Sequence, residues 1–383
     1  MSHVVFCWEL GGGMGHLVPL TLVAAEIVKL GHKVTFVMSD VSNAPLYLEP
    51  LGIEWIQGPH LRQFGPRPQL ENHADILRMV GYDTPQRLMA LLSAWRSTFG
   101  FLRPDRVICE YAPTAQLASQ SLGLSCICID NGFSMPPVCD PLPPLRLDKP
   151  ADIDALRSSE SKTLTVINEV LGKYGASPLP RFSSLYETAV WYRNWTEFNH
   201  FGPHSSERHL GQIFGDTGGA EPEWPGGSGR KMFAYVKPDH PFALEILQAA
   251  ANYGFRILAY LPGRKPSLIS ALVATGKIIV SPKPIRLSAL DNDVEIGIWQ
   301  SPTGGVGHSL EKGMRMLFLP SQAEQYLACK AVERSGVPAC VVMSREDWPA
   351  VFDRLLAMPR MTLDHRWLPA NIPDMAVKLL SED

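Results

Sequence analysis

The chain has 383 residues, 45% of them hydrophobic and 19% charged. That is enough apolar content for a substantial core, and the length favours two domains over one. A formal net charge of −3 with Lys and Arg scattered along the chain argues against the concentrated basic face that nucleic acid or an anionic membrane demands. No apolar run approaches the length of a membrane span, and the N-terminus has no cationic segment leading into an apolar stretch and cleavage site. The expectation is a cytoplasmic protein without a transmembrane segment. The seven cysteines include no C-x-x-C pair, and Cys126 and Cys128 alternate along an apolar run, so they read as reduced structural thiols.

In chain order, HVVFCWE (3–9) is apolar enough for a strand buried on both faces. A helical pattern follows from Leu17 to Leu30, with Pro19 in its first turn and Gly31 closing it, and HKVTFVM (32–38) supplies the next strand. Further strands are expected at 105–111 and 125–130, with a helix at 113–122 between them. Two insertions interrupt the alternation, one near 60–100 and one over 140–212, the latter helical at 151–174 and then aromatic in VWYRNWTEFNHF (190–201). Strands recur at 231–236, 255–261, 277–281, 294–299, 314–319 and 338–343. Two doubly wound parallel sheets account for this pattern more economically than one. GDTGGAEPEWPGGSGRK (215–231), rich in Gly and Pro and without periodicity, reads as the linker between them.

In open α/β sheets ligands bind beyond the carboxyl ends of the strands, so the strand-to-helix turns carry the search. ELGGGMGHLVPL (9–20) is one such turn. Gly11 and Gly13 occupy the first two positions of a dinucleotide fingerprint, but His16 takes the third, so that motif fails. The glycines still let backbone approach a ligand, and the helix start suits a phosphate. His16 can cap or pack at a helix start, or act as a base; the turn alone leaves both open. SPTGGVGHSLEKG (301–313) is a second turn, with Gly304, Gly305 and Gly307 before a helix that carries Glu311. Such a turn can cradle a diphosphate while the carboxylate accepts from ribose hydroxyls. His200, His204 and His209 look like metal ligands, but Gly202 and Pro203 break the helix that would align the first two.

GGGMGHLVPLTLVAAEIVKLGHKVTF resembles the N-terminal signature of GT-B glycosyltransferases, particularly glycosyltransferase family 1 and its relatives, in which Gly-His-x-x-Pro precedes the first helix. TGGVGHSLEKGMRMLFLPSQAEQYLACKAVERSGV (303–337) is similar to that family's donor-binding signature. The resemblance implies two Rossmann-like domains facing across a cleft. An acceptor-binding domain would span 1–214, a linker 215–231, a nucleotide-sugar domain 232–360, and a C-terminal helix within 361–383 would cross back to the first. It implies an inverting hexosyl transfer from a UDP- or dTDP-linked sugar to a hydroxyl of a small-molecule, lipid or saccharide acceptor, with no further cofactor.

The implied roles follow position by position. His16 matches the base that deprotonates the acceptor, and Glu110 stands where the family usually has the Asp that holds it. Gly13, Gly304, Gly305, Gly307 and Ser309 belong to the donor loops. Thr303 replaces the usual diphosphate-contacting His, and His308, at a position usually Ser or Thr, is expected to take over that contact or else to lie on the exposed side of the helix start. Glu311 matches the ribose-binding Glu, and Glu324 with Gln325 the acidic-Gln pair that reads sugar hydroxyls. Lys237 stands near the expected donor phosphates or on a solvated surface. No Asp-x-Asp suited to a metal-bound diphosphate occurs, since DND (291–293) reads as a turn, so the implied chemistry is metal-independent. Trp95, Phe99, Phe101, Trp191, Tyr192, Trp195 and Phe198 either line an acceptor pocket or form core. Two other readings fit the same architecture: a nucleotide-sugar epimerase or hydrolase, and a non-catalytic binding or activating partner.

Overall fold

The computed structural model describes residues 1–61, 70–146, 150–202, 208–214, 218–237, 240–263 and 266–381. The chain divides into two compact units. The first comprises Met1–Asn194, His204–Leu210 and Ala370–Asp383, the second Trp195–Pro203 and Gly211–Pro369.

The first unit is built on a six-stranded parallel sheet in the order β3-β2-β1-β4-β5-β6: β1 (His3–Trp8), β2 (Lys33–Met38), β3 (Glu54–Gln57), β4 (Arg106–Glu110), β5 (Cys126–Asp130) and β6 (Val190–Tyr192). The central strands are apolar on both faces because helices cover both, and Val4 to Cys7 are fully buried. The helix Met14–Lys29 starts three residues before the apolar pattern does, so Pro19 lies inside it rather than in its first turn. The helix Pro85–Leu102 is capped by Thr84 and buries Leu88, Leu92, Trp95 and Phe99 against the sheet. Ile153–Lys173 is capped by Asp152, whose carboxylate accepts from the N–H groups of Asp154 and Ala155. The C-terminal helix Ile372–Ser381 packs on Met14–Lys29.

The second unit repeats the plan in the order β12-β11-β10-β7-β8-β9: β7 (Lys231–Tyr235), β8 (Arg256–Tyr260), β9 (Ile278–Ser281), β10 (Val294–Trp299), β11 (Arg315–Phe318) and β12 (Ala339–Val341). In both sheets the order reverses beside the first strand of the unit, between β1 and β4 and between β7 and β10. That reversal opens a crevice at the carboxyl ends of those two strands.

The units divide differently from the boundaries read in the sequence. Residues 195–202 and 211–214 fall in the second unit, because Trp195 and Phe198 bury themselves with Val306, Leu310 and Trp367 in its core. Of the expected linker, residues 215–217 lie outside the described residues. The remainder belongs to the second unit, where Ala220 donates its N–H to Pro284 and accepts from Arg286. The strands β3 and β6 escaped the sequence reading, being short, at sheet edges and without apolar alternation.

Candidate functional site

In the first unit the switch point places the turn after β1 beside the end of β4, and this brings His16 to Glu110. Nδ1 of His16 lies 2.9 Å from both carboxylate oxygens of Glu110. Arg193, which follows β6, donates from Nη2 to Oε1 of Glu110 at 2.8 Å. Burial pushes the Glu110 carboxyl up, but His16 and Arg193 together outweigh it and hold the group below the usual carboxylate value. The carboxylate is therefore ionised and only accepts. A neutral His16 must carry its proton on Nδ1, which makes Nε2 the acceptor nitrogen of the ring.

The ring is held in place from three sides. Trp8 stacks on it at 5.3 Å with the planes 15° apart. Tyr111 lies at 6.5 Å, and Gly11 closes the third side. A Cβ at Gly11 would come within 2.4 Å of Nε2, so only a residue without a side chain lets the imidazole settle there, and its φ of +81° also suits glycine. The His16 side chain keeps 18% of its surface exposed while Glu110 keeps 2%. Leu10 donates its N–H to the carbonyl of Tyr111, fixing the turn against the strand that brings Glu110. Gly13 is the N-cap residue of the helix and supplies no side-chain cap.

In the second unit, the turn 300–304 leads from β10 into the helix Gly305–Lys312, with Gly304 at the N-cap (φ +80°). Its geometry differs from the sequence expectation at three places. The N–H groups of Gly305 and Val306 bend back to the carbonyl of Pro302, so they are already engaged. Ser309 is fully buried and directed at Gly297 of β10, so its hydroxyl faces the sheet rather than the turn. His308 is not on an exposed side of the helix start. It is buried edge-on against Phe214, with Nδ1 3.3 Å from Oε2 of Glu311. Gly305 and Gly307 lie directly on the rings of Trp299 and Phe214. Thr303 packs beside Ser301, whose hydroxyl is 3.4 Å from its own.

Around the second switch point, Gln300 links three segments. Its Oε1 accepts from the N–H of Lys237 after β7, and its Nε2 donates to Ser321 after β11. Ser321 in turn donates to Oε1 of Gln325. The Lys237 residue is exposed, and Glu324 approaches Nε2 of His200 at 3.4 Å. The structure thus gathers Lys237, Thr303, Gln325 and the glycine turn at the ends of β7, β10 and β11, whereas His308 and Ser309 turn inward.

No protein-family profile matches the chain, and no curated protein matches it in sequence. Solved structures do match in fold. The calicheamicin glycosyltransferase CalG4 aligns at a TM-score of 0.68 and 16% identity, over 99% of this chain and 93% of that one. The spinosyn rhamnosyltransferase SpnG complexed with spinosyn aglycone aligns at 0.63 and 14%, over 99% and 95%. The Streptomyces sp. SF2575 glycosyltransferase SsfS6 complexed with thymidine diphosphate aligns at 0.55 and 16%, over 100% and 96%.

The fold is that of the GT-B glycosyltransferases. Within this GT-B chain the aromatic insertion residues are mostly core: Trp95, Phe99 and Tyr192 are buried in the first unit and Trp195 and Phe198 in the second. Phe101 is exposed, and Trp191 lies between Arg208 and Lys378. Asp291 and Asp293 are taken up by Lys231 at 2.5 and 2.9 Å. Among the described residues no group of three His, Cys, Asp or Glu could hold a metal ion, and His204 lies outside them. No helix among them is long and apolar enough to cross a membrane. Sequence reading missed Trp8, Arg193 and Gln300. The available signal for Arg193 was a lone cation inside the aromatic run VWYRNW; Gln300, at a strand end, offered none.

Proposed function

We propose that the chain transfers a sugar from a nucleotide diphosphate to an acceptor hydroxyl, with inversion and without a metal ion. The observation that carries this reading is the imidazole of His16, backed by a buried ionised carboxylate and presenting Nε2 at a GT-B switch point. A sugar or aglycone hydroxyl is a poor nucleophile. A base that removes its proton as it attacks contributes roughly 10² to 10⁴ in rate. Direct attack of the deprotonated acceptor on the anomeric carbon, with no enzyme nucleophile in between, is a single displacement, and it inverts that carbon. The proton passes to Nε2, the diphosphate leaves with the bonding electrons, and Glu110 stabilises the imidazolium.

The second unit would hold the donor. The positive end of the helix Gly305–Lys312 and the Lys237 side chain would face the diphosphate, with Glu311 on the ribose and Glu324 with Gln325 on the sugar. Thr303 supplies a hydroxyl where a charged group would otherwise stand, so Lys237 carries more of the leaving-group stabilisation. dTDP-sugars are the first donors to try, with UDP-sugars beside them, since SsfS6 was solved with thymidine diphosphate. The aglycone bound by SpnG makes aglycones the natural first acceptors to try, beside lipids and saccharides.

The test is a panel of nucleotide sugars read by protection against thermal unfolding, followed by transfer assays with and without EDTA. Stabilisation by at least one donor, EDTA-insensitive transfer and an inverted anomeric product are expected. Stabilisation by none of the panel overturns the reading, as does a retained anomeric configuration.

A further inference from the structure

We propose that Arg193 is a positioning residue for His16: it clamps the Glu110 carboxylate so that Nδ1 of the imidazole has one fixed acceptor and Nε2 remains the basic end. The kinetic part of this inference rests on the function proposed above; the geometric part does not.

Arg193 begins just beyond the carboxyl end of β6, two strands away from β4, and reaches across the end of β5 to Glu110. Its own backbone is pinned there, since its N–H donates to the carbonyl of Asp130 at 2.7 Å. The side chains of Arg193 and Glu110 are exposed by only 3% and 2%, and Nε of Arg193 finds no acceptor among the described residues. A buried cation with one ion pair and an unsatisfied donor is a poor way to stabilise a fold, because an apolar pair of similar volume is usually as stable or more so. The position therefore calls for another explanation.

Glu110 supplies it. A glutamate reaches further than an aspartate but adds a rotatable bond, and its terminal torsion is broad. Nδ1 of His16 sits equally far from both oxygens and so does not fix that torsion, whereas Arg193 selects Oε1. Other ionisable groups near the pair are turned elsewhere. Asp130, at the end of β5, accepts from the N–H groups of Gly132, Ser134 and Met135. Glu9 accepts from the N–H of Thr114, and Tyr111 offers its ring. Among the described residues of this unit, Arg193 is thus the cation that offsets Glu110. Without it, the carboxylate would bind the protonated imidazole more tightly, and His16 would be charged over more of the neutral range.

The experiment is an NMR titration of the His16 ring, with its tautomer, in the intact chain and in Arg193→Met and Arg193→Lys, without any substrate. Arg193→Met is expected to raise the midpoint by about one unit. It should lower kcat at pH 7 by up to about tenfold with donor KM unchanged, the loss shrinking as pH rises. Arg193→Lys should recover part of both. An unchanged His16 midpoint and tautomer in Arg193→Met, with activity following only the fraction folded, overturns the proposal. Should that variant not fold, Glu110→Gln/Arg193→Met, which removes both buried charges, is compared with Glu110→Gln. Equal kcat at pH 8.5 is expected because the arginine acts through Glu110, and a further tenfold drop overturns it. A shifted midpoint in a chain that transfers no sugar would sink the glycosyl-transfer reading and leave the clamp standing.

Discussion

The two units share one sheet order, and each sets a histidine against a carboxylate at its glycine turn, but the two pairs are inside out relative to each other. In the first, the carboxylate is buried and the imidazole shows 18% of its surface, at 2.9 Å. In the second, His308 shows 4% and Glu311 43%, at 3.3 Å. The buried member sets the character of the exposed one. A buried carboxylate holds the outward imidazole by Nδ1, while a buried imidazole stands against an outward carboxylate. On the function proposed above, one topology would serve as a proton-taking turn in one unit and a hydroxyl-binding turn in the other.

Breaking the first pair should have the largest effect. His16→Ala is expected to leave folding and donor affinity intact and to cut transfer at least about a hundredfold, read as kcat/KM beside donor-induced thermal shifts. An unchanged rate removes His16 from the mechanism. Gly11→Ala sharpens the point, since its new Cβ would meet Nε2 at 2.4 Å and displace the ring, whereas a Cβ at Gly12 meets nothing within 4 Å. The first should lose at least about tenfold in kcat and the second almost nothing.

What the sequence disclosed follows the same asymmetry. The buried strands β1, β2, β4, β5, β7, β8 and β10 were legible because parallel sheets covered on both faces leave uninterrupted apolar runs. The turns after β1 and β10 were legible because glycines mark the backbone's closest approaches. Burial was not legible: no pattern in GGVGHSLE tells that His308 turns under Phe214 while Glu311 turns out. Nor can adjacency between distant segments be read from one chain, and so Arg193, 83 residues from Glu110, was invisible as its partner. The division of 195–214 between the units was hidden likewise, because Trp195 and Phe198 suit either core.

Packing under the second turn offers the next largest effect. Gly305 lies on the buried Trp299, and a Cβ there would stand 2.6 Å from its ring. Gly305→Ala should cost about 2–3 kcal/mol in urea unfolding. At Gly304 the added Cβ meets open space but φ is +80°, so alanine should cost about 1 kcal/mol. Equal losses at the two positions would mean that the turn relaxes away from Trp299.

A second buried carboxylate beside the first turn separates ionisation from reactivity. Burial pushes Glu9 up to about 7, against the hydrogen bond its carboxylate accepts from the N–H of Thr114. As pH rises past the usual 4.5 the unfolded chain releases this proton while the folded chain keeps it, so stability falls between about 4.5 and 7 and stays lower above. Glu9→Gln should therefore gain about 3 kcal/mol at pH 8, with the gain vanishing below pH 4.5, and leave transfer per folded molecule within about twofold. Glu110, held low, gives the opposite slope: its contribution is complete above the unfolded value and is lost as pH falls below it. A gain from Glu9→Gln that does not change with pH would show that packing, not ionisation, was relieved.

The smallest effect is expected at the exposed end of the second pair, and it tests the inversion directly. Glu311 is largely solvated, so Glu311→Gln should leave unfolding unchanged within about 0.5 kcal/mol. Its amide oxygen still accepts from a ribose hydroxyl, but a neutral acceptor is weaker than a carboxylate, and donor affinity should fall about threefold to tenfold. His308→Phe fills the same buried space beside Phe214 yet takes away the nitrogen facing Glu311. If that nitrogen steadies the carboxylate, the phenylalanine variant loses donor affinity by a similar factor, and the double variant loses little more than either alone. Full additivity in donor binding would show two independent groups, and the second turn would then owe its hydroxyl-binding character to Glu311 alone.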